Sequence, residues 1–219
     1  MNMRFPFFPK FEDLPRTLPV FPLDDAIVMP GAELPLNIFE PRYLKMVEDA
    51  LKTDHMFGMI QPDLAKGKET NSLYSIGCAG QITAYSETAD GRILLSLTGL
   101  IRFGVIEELP SIRGYRLVVP DWGPYASDLD RQFESDINDK ARLTHILKDY
   151  LKSKNMETDW KTLKNVSGTQ LLEIMAMLPP IGSAEKQAIL EAKEPNRREA
   201  ILLAALELSL QNESGAFRH

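Results

Sequence analysis

The hydrophobic pattern of this chain changes its period once, between Trp122 and Ser127, and that change limits what the chain can fold into. Before it, short runs alternate or carry internal glycines, as strands do; after it, apolar residues recur at three- and four-residue spacing, as helices require. Strands followed by helices predict an α+β chain, divided into 1–122 and 123–219.

In the first part, Leu18–Leu23, Leu34–Phe39, Met56–Gln61, Tyr74–Tyr85, Ile93–Glu107 and Tyr115–Pro120 read as strands. Gly77, Gly80, Gly99 and Gly104 inside them suggest bulges or sharp bends, the texture of a small curved sheet or barrel. Met29-Pro30-Gly31 reads as a turn and Ala89–Arg92 as an Asp-Gly hairpin. One helix interrupts the strands. From Glu40 to Lys52, Tyr43, Leu44, Val47 and Leu51 share a face, with Pro41 at the first helical position, where its missing N–H costs nothing. In the second part, one amphipathic helix is expected over Asp128–Lys152, with Ser127 and Asp130 forming a capping box. Further helices are expected over Gln170–Leu178, over Ala184–Ala192 capped by Ser183, and from Pro195 to about Gln211.

The chain has 219 residues and a net charge of -6. Acids outnumber bases in both parts, which counts against a nucleic-acid partner, whose phosphates call for a basic footprint. Cys78 is the only cysteine, so no intrachain disulfide forms. The apolar start, with Phe5, Phe7, Phe8 and Phe11, is broken by Pro6, Pro9 and Lys10 and lacks a cleavage site, so it is not read as a signal peptide. No apolar stretch approaches the ~20 residues a membrane span needs. A soluble, cytoplasmic protein is expected.

Several blocks, in order and at matching spacing, resemble the N-terminal substrate-binding domain of Lon proteases. They are LPVFPL at Leu18–Leu23, Pro30-Gly31, LPLNIFEPRYLKMVEDAL at Leu34–Leu51, IGCAGQI at Ile76–Ile82, Asp90-Gly91-Arg92, and LTGLIRFGV at Leu97–Val105. AEKQAILEA at Ala184–Ala192 resembles the helical tail of stand-alone bacterial members. The resemblance implies a six-stranded PUA-like β pseudobarrel with one inserted helix, followed by a C-terminal α-helical bundle. It also implies a module that recognises polypeptides. The Asp24-Asp25 pair makes the first loop more acidic than the resemblance leads one to expect.

The motif residues Pro30, Gly31, Phe39, Glu40, Pro41, Arg42, Tyr43, Gly77, Gly99, Arg102 and Phe103 are read first as structural. Phe39 and Tyr43 are assigned to the core. Arg42 is either a partner contact or half of a salt bridge. Arg102 and Phe103 are neighbours on a strand, so one should face solvent. Phe5, Phe7 and Phe8 are candidate partner contacts, as an extended arm lying in a groove of this chain or of a second copy.

No residues in the sequence assemble a known catalytic motif. The nearest approach to a phosphate-binding loop, Gly67-Lys68, is followed by Glu69 and has Pro62 where the first glycine belongs. His55, His145 and His219 lack metal-ligand spacing. Cys78 reads as buried, Glu107-Glu108 point to opposite faces, and Ser183 lacks a nucleophile-elbow frame. The reading is therefore a non-catalytic binding module with no cofactor or metal, and with neither the ATPase nor the Ser-Lys peptidase chemistry of Lon. Its expected partners are unfolded or extended polypeptides, with a separate protease as the further candidate. They would be held on an exposed apolar patch of the barrel, in a cleft between barrel and bundle, or by strand addition at a sheet edge. RNA binding, known among PUA-like barrels, and an enzyme with an unrecognised site are the alternatives.

Overall fold

A computed structural model describes residues 9–67, 72–110, 113–130, 137, 139–153, 166–177 and 181–216. The chain divides into two compact units, Met1–Gln132 and Phe133–His219.

The first unit holds six strands: β1 Leu18–Pro22, β2 Glu33–Ile38, β3 Met56–Ile60, β4 Ile76–Glu87, β5 Ile93–Leu109 and β6 Arg116–Asp121. Their order is β2-β5-β4-β3-β1-β6, and β6 pairs again with β5, so the sheet closes on itself. The length of β5 makes this possible. Its first half, Ile93–Thr98, pairs with β2, and its second half, Gly104–Leu109, pairs with β6. The β1–β3 pair is parallel, and the other pairs are antiparallel. This is the α+β pseudobarrel expected from the sequence. Leu18, Val20, Ile60, Ile101, Phe103 and Val118 lie in its core, fully or almost fully buried.

Between β2 and β3 runs α1, Pro41–Leu51, with Pro41 in its first turn. It buries Tyr43, Met46, Val47 and Ala50, a stripe at helical spacing. Tyr43 meets Phe21 edge-on, with ring centroids 4.4 Å apart.

The second unit is helical. Its described helices are α2 Lys140–Ser153, α3 Gly168–Ala176, α4 Ser183–Glu191 and α5 Pro195–Ala216. The long α5 touches each of the other three. The single helix expected over Asp128–Lys152 is not what forms. A 3-10 segment covers Gly123–Leu129, Ile137 is buried outside any helix, and α2 begins only at Lys140. Ser127 is no helix cap; its carbonyl accepts from Asp130 N–H at the end of that 3-10 segment. Pro124 and the anchoring of Tyr125 and Asp128 on the barrel hold this stretch in its tighter winding. Ser183 is likewise the first helical residue rather than the cap, which is Gly182. A capping box the sequence reading passed over opens α3: Ser167 accepts from Gln170 N–H at 3.1 Å, and Gln170 Oε1 accepts from Ser167 N–H at 3.2 Å.

Candidate functional site

The motif residues fall into three places. The first is a turn before β2 that docks on β5. Ala32 N–H donates to Met29 carbonyl at 3.0 Å around Pro30-Gly31, and Gly31 has φ 90°. Proline second and a left-handed glycine third are what a type II turn requires. Gly31 N–H then donates to Gly99 carbonyl at 2.8 Å, and Gly99 N–H to Ala32 carbonyl at 2.9 Å. Two residues thus oppose one, a bulge with glycine in its first position. The turn lies directly on β5. A Cβ on Gly99 would stand 2.1 Å from Met29 carbonyl oxygen, so only glycine fits. Pro30, Gly31 and Gly99 are one piece of geometry. Gly77 is a second close approach, its missing Cβ replaced by the Phe103 ring and Met59 carbonyl.

The second place is a buried ion pair. Arg102 Nε donates to Asp128 Oδ2 at 2.8 Å and Nη2 to Oδ1 at 2.8 Å, while Arg102 backbone N–H donates to Oδ2 at 3.0 Å. The guanidinium also lies 4.6 Å from the Tyr125 ring centre. Contrary to the expectation that one of Arg102 and Phe103 faces solvent, both are buried, at 3% and 0% exposure. The 3-10 segment covers the outer side of β5 at Arg102, while Phe103 points into the barrel. Asp128 was not singled out from sequence, because its partner lies 26 residues away with no local pattern linking them.

The third place is the β2–α1 corner. Tyr43 is buried, but Phe39, assigned to the core from sequence, is 61% exposed. It follows the last residue of β2, past the inward rows, and its ring centre lies 5.9 Å from the Arg92 guanidinium. Arg42 pairs with Glu40 at 2.9 Å and lies 4.5 Å from the Tyr43 ring centre, both on the surface side of the helix start. Phe5, Phe7 and Phe8 lie outside the described residues.

Tyr115, Asp49 and Arg113 are the titratable groups brought together at a recess. Among the described residues no three His, Cys, Asp or Glu side chains gather closely enough to hold a metal. His55 is exposed, His145 faces Asp149 on the surface of α2, and Cys78 is buried. A recess of about 330 Å³ lies between α1 and the β1–β6 strands. There Tyr115 hydroxyl donates to Asp49 at 2.9 Å and Arg113 pairs with Asp49. Partial burial, and then its bond to the carboxylate, raise the Tyr115 hydroxyl above the ordinary tyrosine range, so it stays protonated and is no base at neutral pH.

The larger opening is a shallow apolar groove of about 570 Å³ over β2, β5 and β4. Pairing of β3 with β4 stops at Gln81, and β2 accompanies only the first half of β5, so beyond those rows three strands stand as a wing. Pairing puts Asn37 opposite Leu94 and Leu94 opposite Ser86; Pro35 opposes Ser96, which opposes Ala84. Alternation places these six on one face, with Leu36 and Leu95 buried on the other. Leu94 is 45% exposed on the open face. A signal for it was present: Ile93-Leu94-Leu95 is an unbroken apolar run in a strand, so its middle member must point away from its neighbours.

The family model described as "ATP-dependent protease La (LON) substrate-binding domain" matches residues 17–207. Lon protease 2 of Myxococcus xanthus is 29% identical over 98 residues, 44% of this chain and 12% of that protein. The Lon protease of Parabacteroides distasonis is 26% identical over 200 residues, 89% of this chain and 24% of that protein. The chain thus spans about a quarter or less of these relatives. Two solved structures share the fold. A Lon N-terminal domain protein from Xanthomonas campestris has a TM-score of 0.62 at 24% identity, covering 86% of this chain and 97% of that one. The N-terminal domain of the Mycobacterium avium complex Lon protease has a TM-score of 0.61 at 16% identity, covering 87% and 98%.

Proposed function

The chain belongs to the ATP-dependent protease La (Lon) substrate-binding domain family, and from that premise we propose that it is a non-catalytic module that holds unfolded or extended polypeptides. It serves as an adaptor or holdase beside a separate protease, in the cytoplasm. The observation that carries this reading is the open apolar groove over the β2–β5–β4 wing. Pro35, Ala84 and Leu94, with small polar side chains among them, offer an extended chain apolar contact along this groove. The net charge of -6 favours a polypeptide over RNA.

Fluorescence anisotropy against three labelled probes tests it: an unfolded polypeptide, the same polypeptide folded, and single-stranded RNA. Salt-tolerant binding of the unfolded probe alone is expected. Salt-sensitive binding of RNA alone, or no binding of the unfolded probe, would show that the fold has been put to another use here.

A further inference from the structure

We infer that the outer face of the β2–β5–β4 wing is the docking surface, and that it receives an extended segment carrying apolar residues beside a basic one, through side chains rather than by strand addition. This rests on the polypeptide-binding reading above. The two exposed edges of the wing are both blunted. On β2, Ala32 carbonyl accepts from Gly99 on β5. Alternation then aims the backbone groups of Leu34, Leu36 and Ile38 at β5, and those of Glu33, Pro35 and Asn37 at the free edge. Pro35 brings no N–H to the middle of that edge, so an added strand would lose its central donor. On β4, the pairing slips between Ile82 and Ala84, a bulge at the point where β3 has already left. Proline and bulges at edges are what keep sheets from being extended.

The face between those edges has no such protection. Pro35 and Leu94 present apolar surface on it, with Ala84 beside them and the polar Asn37, Ser86 and Ser96 spaced among them. Spacing along an extended segment matches this surface, since its alternate side chains fall on one side. The charge follows from Glu33. It shares the face, two residues before Pro35 and so about 7 Å along the strand. It is exposed and forms no ion pair among the described residues. Arg92, the cation at the hairpin tip, is already held by Asp90 at 2.8 Å. The face therefore offers apolar contact with one unmatched negative charge at its margin, which a basic residue complements.

The test uses the full chain and a labelled peptide of alternating leucine and serine with one central arginine. Two further peptides carry glutamate in place of arginine, or N-methyl groups on alternate backbone amides. The arginine peptide should bind roughly two- to fivefold better than the glutamate peptide, the size of an exposed ion pair, and Glu33→Lys should reverse that order. Leu94→Asp should weaken the arginine peptide about tenfold, as expected for losing one buried leucine contact, and Leu94→Ser serves if the aspartate variant does not fold. The N-methyl peptide should bind nearly as well as its parent. Loss of binding on N-methylation, or binding that ignores both Leu94 and Glu33 variants, overturns the docking face while leaving polypeptide binding standing. Failure of the wild-type chain to bind any unfolded polypeptide removes both. Tighter binding after deletion of residues 1–8 would make the chain's own N-terminal segment the occupant and overturn the assignment to an external one.

Discussion

The barrel unit and the helical unit bury polar groups for different purposes. In the barrel, away from the wing edges, strand pairing satisfies the backbone, and the Arg102–Asp128 ion pair fixes a covering segment to the outside of β5. In the helical unit Lys186, Gln187, Arg198 and Glu199 are all buried; Gln187 donates to Glu191 along α4 at 2.8 Å, and Arg198 and Glu199 bond backbone at helix ends and connections. Glu199 accepts from Asp139 N–H at 2.8 Å, just before α2. Arg198 donates to the Ala192 and Lys193 carbonyls, at 2.8 and 3.2 Å, in the α4–α5 connection. Helices leave unsatisfied backbone groups at each end, whereas in the barrel such groups are left only along the edges of the wing. The barrel should therefore fail at a few irreplaceable points, and the helical unit should lose stability in smaller, distributed steps.

The largest effect should come from Asp128→Ala, which strands a buried guanidinium. Removing one partner of a buried pair costs about 3–5 kcal/mol, read as a lowered midpoint in urea unfolding. A loss below about 1 kcal/mol, the worth of a surface pair, would mean that Arg102 finds water and that the covering segment is loosely held. Next comes Gly99→Ala. Its Cβ meets backbone, not a side chain that can turn away, so a loss of about 3 kcal/mol is expected, at the upper end for overpacking. On the helical side, Ser167→Ala removes half of the α3 capping box and should cost about 1 kcal/mol. If it cost as much as Asp128→Ala, the contrast between the units would collapse.

The smallest effect is a pH dependence of the barrel at alkaline pH. Burial is the main cause that raises the hydroxyls of both Tyr43 and Tyr115 above the ordinary value of 10.0. A raised folded value means the folded state favours the protonated form. The associated stability is present below pH 10.0 and is lost as pH rises through the folded values. Absorbance titration should show Tyr43 and Tyr115 among the late-ionising tyrosines, and Tyr43→Phe should remove one late step. Ionisation of all tyrosines together near the ordinary value would contradict the packing around Tyr43.

The same contrast governs what the sequence revealed. Strand alternation, glycines inside strands and a proline opening α1 are local signals, and they located six strands and α1 to within a residue or two at most ends. The Pro30-Gly31 turn was equally legible, because its chemistry lies in adjacent residues. What escaped depends on distant neighbours. Arg102 is buried because a segment 26 residues later lies over it, and Phe39 is exposed because the strand ends one residue earlier than the pattern suggests. That covering segment also explains the helix expected from Asp128, since Asp128 is already committed to Arg102. The wing face went unread for a related reason: Leu94 belongs to an apolar run, and only strand pairing shows which of its members has no neighbour above it.

The most direct measurement is to add an unfolded polypeptide to the isotope-labelled chain and map amide shifts residue by residue. Shifts concentrated in Glu33–Ile38, 84–86 and 94–96, with the helices of 181–216 unmoved, are the predicted result. Shifts confined to the helical unit, or none at saturating polypeptide, would contradict the account.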